Sequence, residues 1–299
     1  MKKNDCNELI EFLNRVFTEH NGYEMHFEKL LPHIFCEDDK TMSYHIAAKK
    51  DSKICGCAGT YPMLYHISGV DIKAGVIENV AVDANYRNMG IMQAIMNQMN
   101  ADNKAAGYDI CFLQGDRKRY SHFGFDRCGV VYNFHITRSM LGKEECENAY
   151  EYEVINKEDS ALLKEAHKLY SASKTHIVKK PCELYYSLTA NNHIPYAIIS
   201  PDGKLEGCFC TDMSGTSLSN IVLRKKDEIV AILRKYIQIN DMRVIYIPIP
   251  QYSEFFEILF DNCDRYQIYQ PGCFKILNFK KIIQCYMREK NDCEELPDG

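Results

Sequence analysis

The sequence of 299 residues lacks the patterns that mark several classes of protein. No run approaches the roughly 18–20 consecutive apolar residues of a membrane-spanning helix. The first residues turn polar and acidic at once, which argues against a secretory signal. Lys and Arg are dispersed and the net charge is −5, so nothing favours nucleic acid as a partner. We therefore predict a cytoplasmic protein that binds neither membranes nor nucleic acid.

Metal-binding and disulfide patterns are also missing, although the chain has 14 cysteines. No C-x-x-C pair occurs, and the ten histidines form no H-E-x-x-H motif, so the usual zinc spacings are absent. A cytoplasmic location would keep thiols reduced. Cys55/Cys57 and Cys208/Cys210 are C-x-C pairs in strand-like runs. We interpret the cysteines, including Cys111, as small buried apolar residues and predict no metal.

Apolar spacing in the first half predicts a mixed α/β arrangement. Residues at helical spacing predict a helix over 8–17 and another over 90–104. Strands are predicted at 43–48, 54–61, 64–67, 76–82, 108–113 and 130–136. A loop at 83–89 joins the fourth of these strands to the second helix. The pattern therefore contains a strand–loop–helix–strand crossover.

The second half repeats this plan after the chain turns charged near Leu141–Tyr150. Strands are predicted at 152–155, 196–199, 205–211, 219–223 and 244–249, and helices at 159–172 and 227–237. The segment Lys204–Cys208 repeats the pattern of Lys53–Cys57, each directly after a polar turn. In this half the loop between strand and helix, Arg224–Lys226, is short and has no glycine. We therefore predict two related domains, the second degenerate.

The segment Val80–Met92 is predicted to run from strand through loop to helix and has the properties of an anion site. The first turn of a helix presents N–H groups without partners and the positive end of the helix dipole. Gly90 would let the backbone approach a phosphate closely, and Arg87 adds a charge that can pair with it. An ordinary loop and helix start would explain any one of these residues alone.

Two sequence blocks make the resemblance specific. Arg87–Met92 resembles motif A of the GNAT (Gcn5-related N-acetyltransferase) superfamily, R/Q-x-x-G-x-G/A, with Met92 in place of the last small residue. About 30 residues downstream, Tyr120–Phe125 resembles the Y-x-x-F-G-F block that ends many GNAT domains. The chain is similar to the superfamily over roughly residues 4–140. The two-domain layout further resembles the Eis (enhanced intracellular survival) branch, in which a degenerate domain follows a catalytic one.

The resemblance implies a fold of class α/β (α+β) with tandem GNAT folds. Each would be a central mixed, mostly antiparallel sheet flanked by helices. The expected domains are a catalytic one at 1–142 and a degenerate one at 150–285, followed by a tail at 286–299. Gly272–Lys281 resembles the run that leads into the sterol-carrier-like third domain of the Eis branch, and no counterpart of that domain is predicted here.

The resemblance also implies acetyl-CoA as cosubstrate. Its pantetheine would lie along the strand residues and its pyrophosphate on the loop and helix N-terminus. Two further contacts, matched by spacing, would precede the tyrosine block. The implied cofactor-binding residues are Val80, Ala81, Val82, Arg87, Asn88, Met89, Gly90, Ile91, Met92, Gln93, Gly115 and Asp116.

Direct transfer of an acetyl group requires a proton donor for the leaving thiolate and an acceptor for the amine proton. Tyr120 matches the tyrosine that serves Eis-like enzymes as general acid, the alternative being a packing aromatic. Glu78 is the candidate base, since alternation would place it on the strand face of Val80 and Val82; a surface charge is the alternative. We interpret His122 as an exposed turn residue.

The expected acceptor is a primary amine on a small molecule or peptide. Two other functions stay open: transfer of an aminoacyl or longer acyl group, and non-catalytic CoA binding. The second domain is expected to shape the acceptor site or a subunit interface, which leaves a homo-oligomer open.

Overall fold

The computed structural model describes residues 1–31, 34–35, 38–142 and 150–289. The chain forms two compact units, each built from separate stretches of sequence. Unit 1 comprises Met1–Cys128, Lys174–Val178 and the chain from Gly272; unit 2 comprises Gly129–Ser173 and Lys179–Pro271. Part of the predicted domain boundary, 143–149, and residues 290–299 of the predicted tail lie outside the described residues.

Strands make up much of the described chain. They are β1 (His45–Lys50), β2 (Lys53–Ile67), β3 (Val70–Val82), β4 (Ile110–Leu113), β5 (Asp126–Cys128), β6 (Val131–Thr137), β7 (Glu151–Val154), β8 (Thr175–Ile177), β9 (Ile194–Ile199), β10 (Leu205–Thr211), β11 (Leu218–Leu223), β12 (Val244–Pro250), β13 (Arg265–Tyr269) and β14 (Gly272–Ile276).

Helices cover the faces of these sheets. They are α1 (Cys6–Asn21), α2 (Phe27–Leu30), α3 (Asp39–Met42), α4 (Ile91–Ala105), α5 (Arg117–Tyr120), α6 (Ser160–Ala172), α7 (Pro181–Leu188), α8 (Ile229–Ile239), α9 (Phe256–Asp261) and α10 (Phe279–Glu289). None of the helices in the described ranges is long and apolar enough to cross a membrane.

Unit 1 is built on one mixed sheet with the strand order β1-β2-β3-β4-β14-β5, and β8 pairs with β2. Every pairing is antiparallel except that of β3 with β4, which is parallel. The helix α1 packs Leu9 and Leu13 into the core on one face, whereas α4 packs Ile95 and Met96 into the core on the other. The predicted sheet, mixed and mostly antiparallel with flanking helices, is confirmed.

The hairpin of β2 and β3 is longer than the spacing of apolar residues predicted. The strands expected at 54–61 and 64–67 are one strand, and β3 begins six residues before the predicted start. Ser68 and Gly69 both have positive φ, 46° and 82°, and the pairing closes at Ile67 and Val70. This geometry suits a two-residue hairpin turn, which lets the ladder extend to its tip.

Unit 2 has two antiparallel sheets, with the orders β11-β10-β9-β7 and β12-β6-β13. An isolated parallel bridge between Ser217 and Tyr246 links β12 to the residue that precedes β11. The helix α8 packs Ile232, Leu233 and Tyr236 into the core of this unit. In each unit a helix thus lies in sequence between two segments that meet in parallel: α4 lies between β3 and β4, and α8 lies between the two residues of the Ser217–Tyr246 bridge.

Three strands lie in the unit that their place in the sequence did not predict, and one of them is β8, which pairs with β2 in unit 1. β14, near the end of the chain, lies between β4 and β5 of unit 1, whereas β6 lies between β12 and β13 of unit 2. The sequence prediction divided the chain at 142 and 150 and kept each domain continuous. The structure differs because Phe134 and Ile136 of β6 are buried in the unit 2 core, while Cys273 of β14 is buried in the unit 1 core.

Candidate functional site

The parallel strands β3 and β4 diverge partway along their length. Their pairing runs from Ala74 opposite Ile110 to Ile77 opposite Leu113 and ends there. β3 continues to Val82, held on its other side by β2. Within the described chain no strand pairs with the β4-facing edge of residues 78–82. That edge can therefore form strand-like hydrogen bonds with an extended ligand.

A β-bulge lies where the strands diverge. Glu78 pairs with Gly59 and Ala81 with Cys57, so two residues of β3 oppose one residue of β2. Asn79 is the inserted residue, with φ of 58°. Val80 packs against the α4 core, while Glu78 lies on the other face, beside Tyr61. The predicted common face of Glu78 and Val80 is wrong, because the bulge interrupts the alternation.

Glu78 is solvent-accessible but closely surrounded by protein. Its side chain is exposed, yet burial against the surrounding protein raises the pKa of its carboxyl. A carboxylate with a raised pKa is a stronger base than one in free solution, and its exposed edge lets a substrate reach it. The position suits a proton acceptor at the mouth of the diverging strands.

Asp83 anchors the loop that follows β3. Its backbone N–H donates to the carbonyl of Cys55 over 3.0 Å. Its side chain is almost buried, accepts from the N–H of Asn85 over 2.9 Å, and pairs with Arg15 at 2.7 Å. Although burial opposes it, these partners hold the pKa of Asp83 below its usual value. The anchored carboxylate fixes the direction in which the chain enters the loop.

The loop delivers an open helix N-terminus. Asn88 and Gly90 have φ of 63° and 75°, and α4 begins at the next residue without a side-chain cap. The N–H groups of the first helical turn precede the first i to i−4 bond, which Ala94 makes to Gly90 over 3.0 Å. A Cβ atom at Gly90 would meet nothing within 4 Å, so a ligand has room there. Arg87 beside it is exposed.

A second cation lies beside this loop. Nζ of Lys50 is 5.4 Å from the ring centroid of Tyr86. Lys50 ends β1 and is distant from Arg87 in sequence, so no local motif pointed to it. Together Arg87 and Lys50 give the loop a positive local charge in a chain that is acidic overall.

The helix α4 approaches the sheet closely, although Met92 replaces the last small residue of the motif. A Cβ atom at Gly56 of β2 would lie 2.7 Å from Cγ2 of Ile91 and 3.2 Å from Cδ1 of Ile95. The glycine that permits close packing is therefore in the strand instead of the helix. Met92 is only half-buried and packs at the border of this core.

Tyr120 ends the short helix α5, which Asp116 caps by accepting from the N–H of Lys118 over 2.7 Å. The ring of Tyr120 is buried in the same core as Leu113 and Phe125. Burial raises the pKa of Tyr120, an effect that Arg119 opposes, so the phenol stays protonated at neutral pH.

Local packing explains the residues that precede the tyrosine block. A Cβ atom at Gly115 would lie 2.3 Å from Cε2 of Tyr120. Asp116 is occupied as the cap of α5. Contact of Gly115 and Asp116 with a cofactor stays a prediction.

β14 holds the tyrosine block from a distant part of the sequence. Nζ of Lys275 donates to the carbonyl of Phe123 over 2.8 Å and lies 5.8 Å from the ring centroid of Phe125. A Cβ atom at Gly272 would lie 2.4 Å from the ring of Phe112, so glycine is needed where β14 crosses β4. More than 140 residues separate β14 from the block, and no pattern in the sequence links the two.

Two residues near the block have no catalytic geometry. His122 is exposed on a turn, as the sequence indicated. Cys111 is buried, and burial raises its pKa to about 11, which disfavours a nucleophilic thiolate. The described ranges contain no group of three or more side chains that could hold a metal ion.

The corresponding turn in unit 2 differs because carboxylates directly precede the helix. β11 ends at Leu223 and α8 begins at Ile229, with Asp227 and Glu228 in the turn between them. Carboxylates at a helix N-terminus are stabilised by the positive end of the helix dipole, and they repel phosphate. The guanidinium of Arg224 is engaged by the carbonyl of Leu205 over 2.7 Å. The short glycine-free loop predicted from the sequence is present.

Comparison with a family model supports the resemblance of unit 1 to GNAT acetyltransferases. Residues 1–128 match the model described as an acetyltransferase (GNAT) domain. The match covers the anion loop and Tyr120 and confirms the GNAT resemblance for this part of the chain. No curated protein matches the sequence.

Solved structures share this fold over 91% to 95% of the chain. A "Probable N-Acyltransferase" of unknown function from Enterococcus faecalis V583 has a TM-score of 0.74 at 14% identity, over 95% of this chain and 73% of that one. Eis1 from Mycobacterium abscessus has a TM-score of 0.66 at 13% identity, over 95% and 74%. Saccharomyces cerevisiae N-myristoyltransferase with bound myristoyl-CoA reaches 0.52 at 12% identity, over 91% and 75%. At these identities the likeness shows the fold alone.

Proposed function

We propose that unit 1 is an N-acetyltransferase that moves the acetyl group of acetyl-CoA directly to a primary amine. One observation carries the proposal: the strand edge left open after Ile77 leads through the anchored loop to the open N-terminus of α4. A pantetheine arm needs extended backbone partners, and a pyrophosphate needs converging N–H groups. The chain offers both in one segment, 78–93, in the order that coenzyme A requires.

The cofactor residues divide by the part of coenzyme A that they would bind. The backbone of Val80, Ala81 and Val82 would hydrogen-bond the pantetheine amides. The N–H groups from Asn88 through Gln93, which include those of Met89, Gly90, Ile91 and Met92, would surround the pyrophosphate. Arg87 would pair with it as a cation, and Gly115 and Asp116 would make a further contact with the cofactor.

The chemistry follows from three groups at the divergence of the strands. A neutral amine attacks the thioester carbonyl, whose developing oxyanion accepts a hydrogen bond from a backbone N–H in Val80–Val82. The tetrahedral intermediate then collapses, the C–S bond breaks, and Tyr120 donates its proton to the departing thiolate. A free thiol has a pKa near 8.5 and a free phenol one near 10, and burial raises the pKa of Tyr120 further, so this proton transfer is uphill. No acyl-enzyme is needed.

Glu78 would accept the proton that the amine loses. A substrate amine is largely an ammonium ion at neutral pH, so a base must deprotonate it before or during attack. The raised pKa of the carboxyl and its exposure both support this role. In the Eis branch the resemblance instead implies a carboxylate from the third domain, for which the described residues offer no counterpart.

The test is a panel of amines and acyl donors assayed for thiol release. Aminoglycosides, polyamines and peptides with free N-termini would be tried with acetyl-CoA, and myristoyl-CoA would probe a longer acyl group. We expect release with acetyl-CoA and at least one amine, and a product heavier by one acetyl group. Tight CoA binding without turnover of any amine would favour the non-catalytic alternative. A product carrying a longer acyl or aminoacyl group would replace acetyl transfer.

A further inference from the structure

Three polar side chains form a hydrogen-bonded network inside the apolar core between α1 and the unit 1 sheet. His45, Tyr61 and Asn79 are only 1%, 6% and 9% exposed. The Tyr61 hydroxyl lies 2.6 Å from Nε2 of His45, and the side-chain amide of Asn79 donates to that hydroxyl over 2.7 Å. Apolar residues of similar shape would pack there without the cost of desolvating polar groups, so the network needs an explanation beyond packing.

The direction of the hydrogen bonds follows from the donors available. Asn79 donates to the Tyr61 oxygen, and in the His45 tautomer with its proton on Nδ1 the ring Nε2 accepts the hydroxyl proton of Tyr61. Burial lowers the pKa of His45 to about 4 and raises that of Tyr61 well above its usual value. At neutral pH the network is therefore uncharged, with donors running from Asn79 to Tyr61 to His45.

The network lies directly beside Glu78. His45 pairs with Gly59 and Gly59 pairs with Glu78, so these three residues form a row across β1, β2 and β3. Gly59, in the middle of this row, has no side chain, and a Cβ atom there would lie only 2.7 Å from the Tyr61 hydroxyl. The hydroxyl therefore fills the space between His45 and Glu78.

The network also holds the bulge. Asn79, which donates to Tyr61, is the inserted residue with positive φ, and its carbonyl accepts from the Cys57 thiol over 3.4 Å. A positive φ is unfavourable for a residue with a side chain and persists when its surroundings fix it. We propose that His45, Tyr61 and Asn79 are positioning residues that hold the bulge and thereby the Glu78 carboxylate. This proposal rests on Glu78 being the base of the proposed function.

A pH profile separates positioning from general stability. The titratable groups around the Tyr61 hydroxyl are His45 on β1, Cys57 on β2 and Glu78 on β3, and the ring of Tyr44 packs edge-on against that of Tyr61. The N-terminal ammonium of Met1 also lies nearby, where it donates to the carbonyl of His45 over 2.9 Å. Burial raises the pKa of Glu78. If the bulge relaxes, the carboxylate loses part of the protein that surrounds it and its pKa falls toward the ordinary 4.5. The acidic limb of kcat/KM, where activity rises as the base deprotonates, then moves to lower pH.

The experiment compares Tyr61→Phe with Tyr44→Phe, which removes a hydroxyl from the same core outside the network. We expect Tyr61→Phe to lower kcat about tenfold, to change KM for acetyl-CoA less than about twofold, and to move the acidic limb down by roughly half a pH unit. Tyr44→Phe should leave all three unchanged. Asn79→Gly keeps a positive φ accessible but lacks the amide, and should show the same shift as Tyr61→Phe.

Glu78→Gln, assayed in parallel, separates this proposal from the one it rests on. If Glu78→Gln keeps wild-type turnover and the acidic limb of the pH profile, Glu78 is not the base. The positioning role of His45, Tyr61 and Asn79 is then overturned as well. If Glu78→Gln loses the limb while Tyr61→Phe and Asn79→Gly keep the wild-type profile, the positioning role alone is overturned. Should Tyr61→Phe fail to fold, a wild-type profile for Asn79→Gly overturns it.

Discussion

Tyr120 occupies the space that a side chain at Gly115 would fill. A Cβ atom on residue 115 would lie 2.3 Å from Cε2 and 2.9 Å from Cδ2 of the tyrosine ring. The ring cannot retreat easily, because it is buried among Leu113, Phe125 and Cys273. The glycine therefore fixes the position of the proposed general acid, which makes the pair suitable for a double-mutant test.

Gly115→Ala should lower turnover by displacing the Tyr120 ring. Forcing a methyl group into a packed core costs roughly 1–3 kcal/mol of stability, and a displaced acid no longer reaches the leaving thiolate. Thermal unfolding and kcat would be measured for Gly115→Ala, Tyr120→Phe and the double variant. If Gly115 acts through Tyr120, adding Gly115→Ala to Tyr120→Phe leaves kcat nearly unchanged. Full additivity in kcat would contradict this coupling.

Tyr120→Phe itself should lower kcat by about 10²-fold and leave acetyl-CoA affinity nearly unchanged, because the ring still packs while the proton donor is lost. Steady-state kinetics and direct binding of CoA would be measured. Tyr108→Phe is the matched control, a partly buried tyrosine at the border of the same core. Unchanged turnover in Tyr120→Phe would remove this residue from the mechanism.

Arg87→Gln should weaken acetyl-CoA binding by about tenfold through loss of a charge-assisted contact with phosphate. Acetylpantetheine, which has no phosphate, should bind Arg87→Gln and the wild type equally. Lys104→Gln, at the opposite end of α4, serves as the control and should bind both donors normally. An equal loss with acetyl-CoA and acetylpantetheine would show that Arg87 does not act on the phosphates.

One CoA should bind per chain, because the turn before α8 in unit 2 has no glycine and places two carboxylates directly before the helix. Asp227 and Glu228 precede α8 in unit 2, where they oppose an anion. Isothermal titration calorimetry would give the stoichiometry, and Arg87→Gln should weaken the single binding event. Two equivalent sites per chain would refute the prediction.

Asp109→Asn should destabilise the attachment of α10 in unit 1. The buried Asp109 carboxylate accepts from the N–H of Lys73 over 2.8 Å, from Asn278 over 2.8 Å and from Lys281 over 2.9 Å. Losing such charge-assisted bonds costs about 1.5–3 kcal/mol. Denaturant unfolding at neutral pH would measure the loss.

The same carboxylate gives a pH signature. Although burial opposes it, the hydrogen bonds hold the pKa of Asp109 below its usual 3.8. The contribution of Asp109 to the free energy of unfolding is therefore complete above about pH 3.8, the pKa of its carboxyl in the unfolded chain. That contribution is lost as the pH falls through the lower pKa of the folded state. Asp109→Asn should be less stable than the wild type at neutral pH and should lose less stability on acidification. A constant difference down to pH 2 would contradict this.

Local patterns predicted most of the elements that carry the proposed cofactor site. The helix expected at 90–104 is observed at Ile91–Ala105, and the loop before it is present. This part was predictable because apolar spacing and the glycine and arginine of the loop all lie within one short segment. Elements without such signals, including α7 and β13, were not predicted.

The remaining features of the site depend on contacts that no local pattern records. The bulge at Asn79 breaks a regular alternation without a glycine or proline to signal it, so Glu78 was assigned to the wrong face. Lys275 reaches the tyrosine block from a strand whose partner lies far away in sequence. The hydrogen bond between His45 and Tyr61 likewise depends on two side chains of neighbouring strands that no sequence pattern pairs.

The position of β14 has a consequence for protein synthesis. A ribosome makes β4 and β5 long before Gly272–Ile276, so the nascent N-terminal segment has a gap in its sheet while more than 140 residues are added. Unpaired strand edges invite wrong partners. A fragment ending at Cys128 would retain this gap permanently. The candidate site can therefore mature only after Gly272–Ile276 has been made, when β14 inserts and Lys275 secures the tyrosine block.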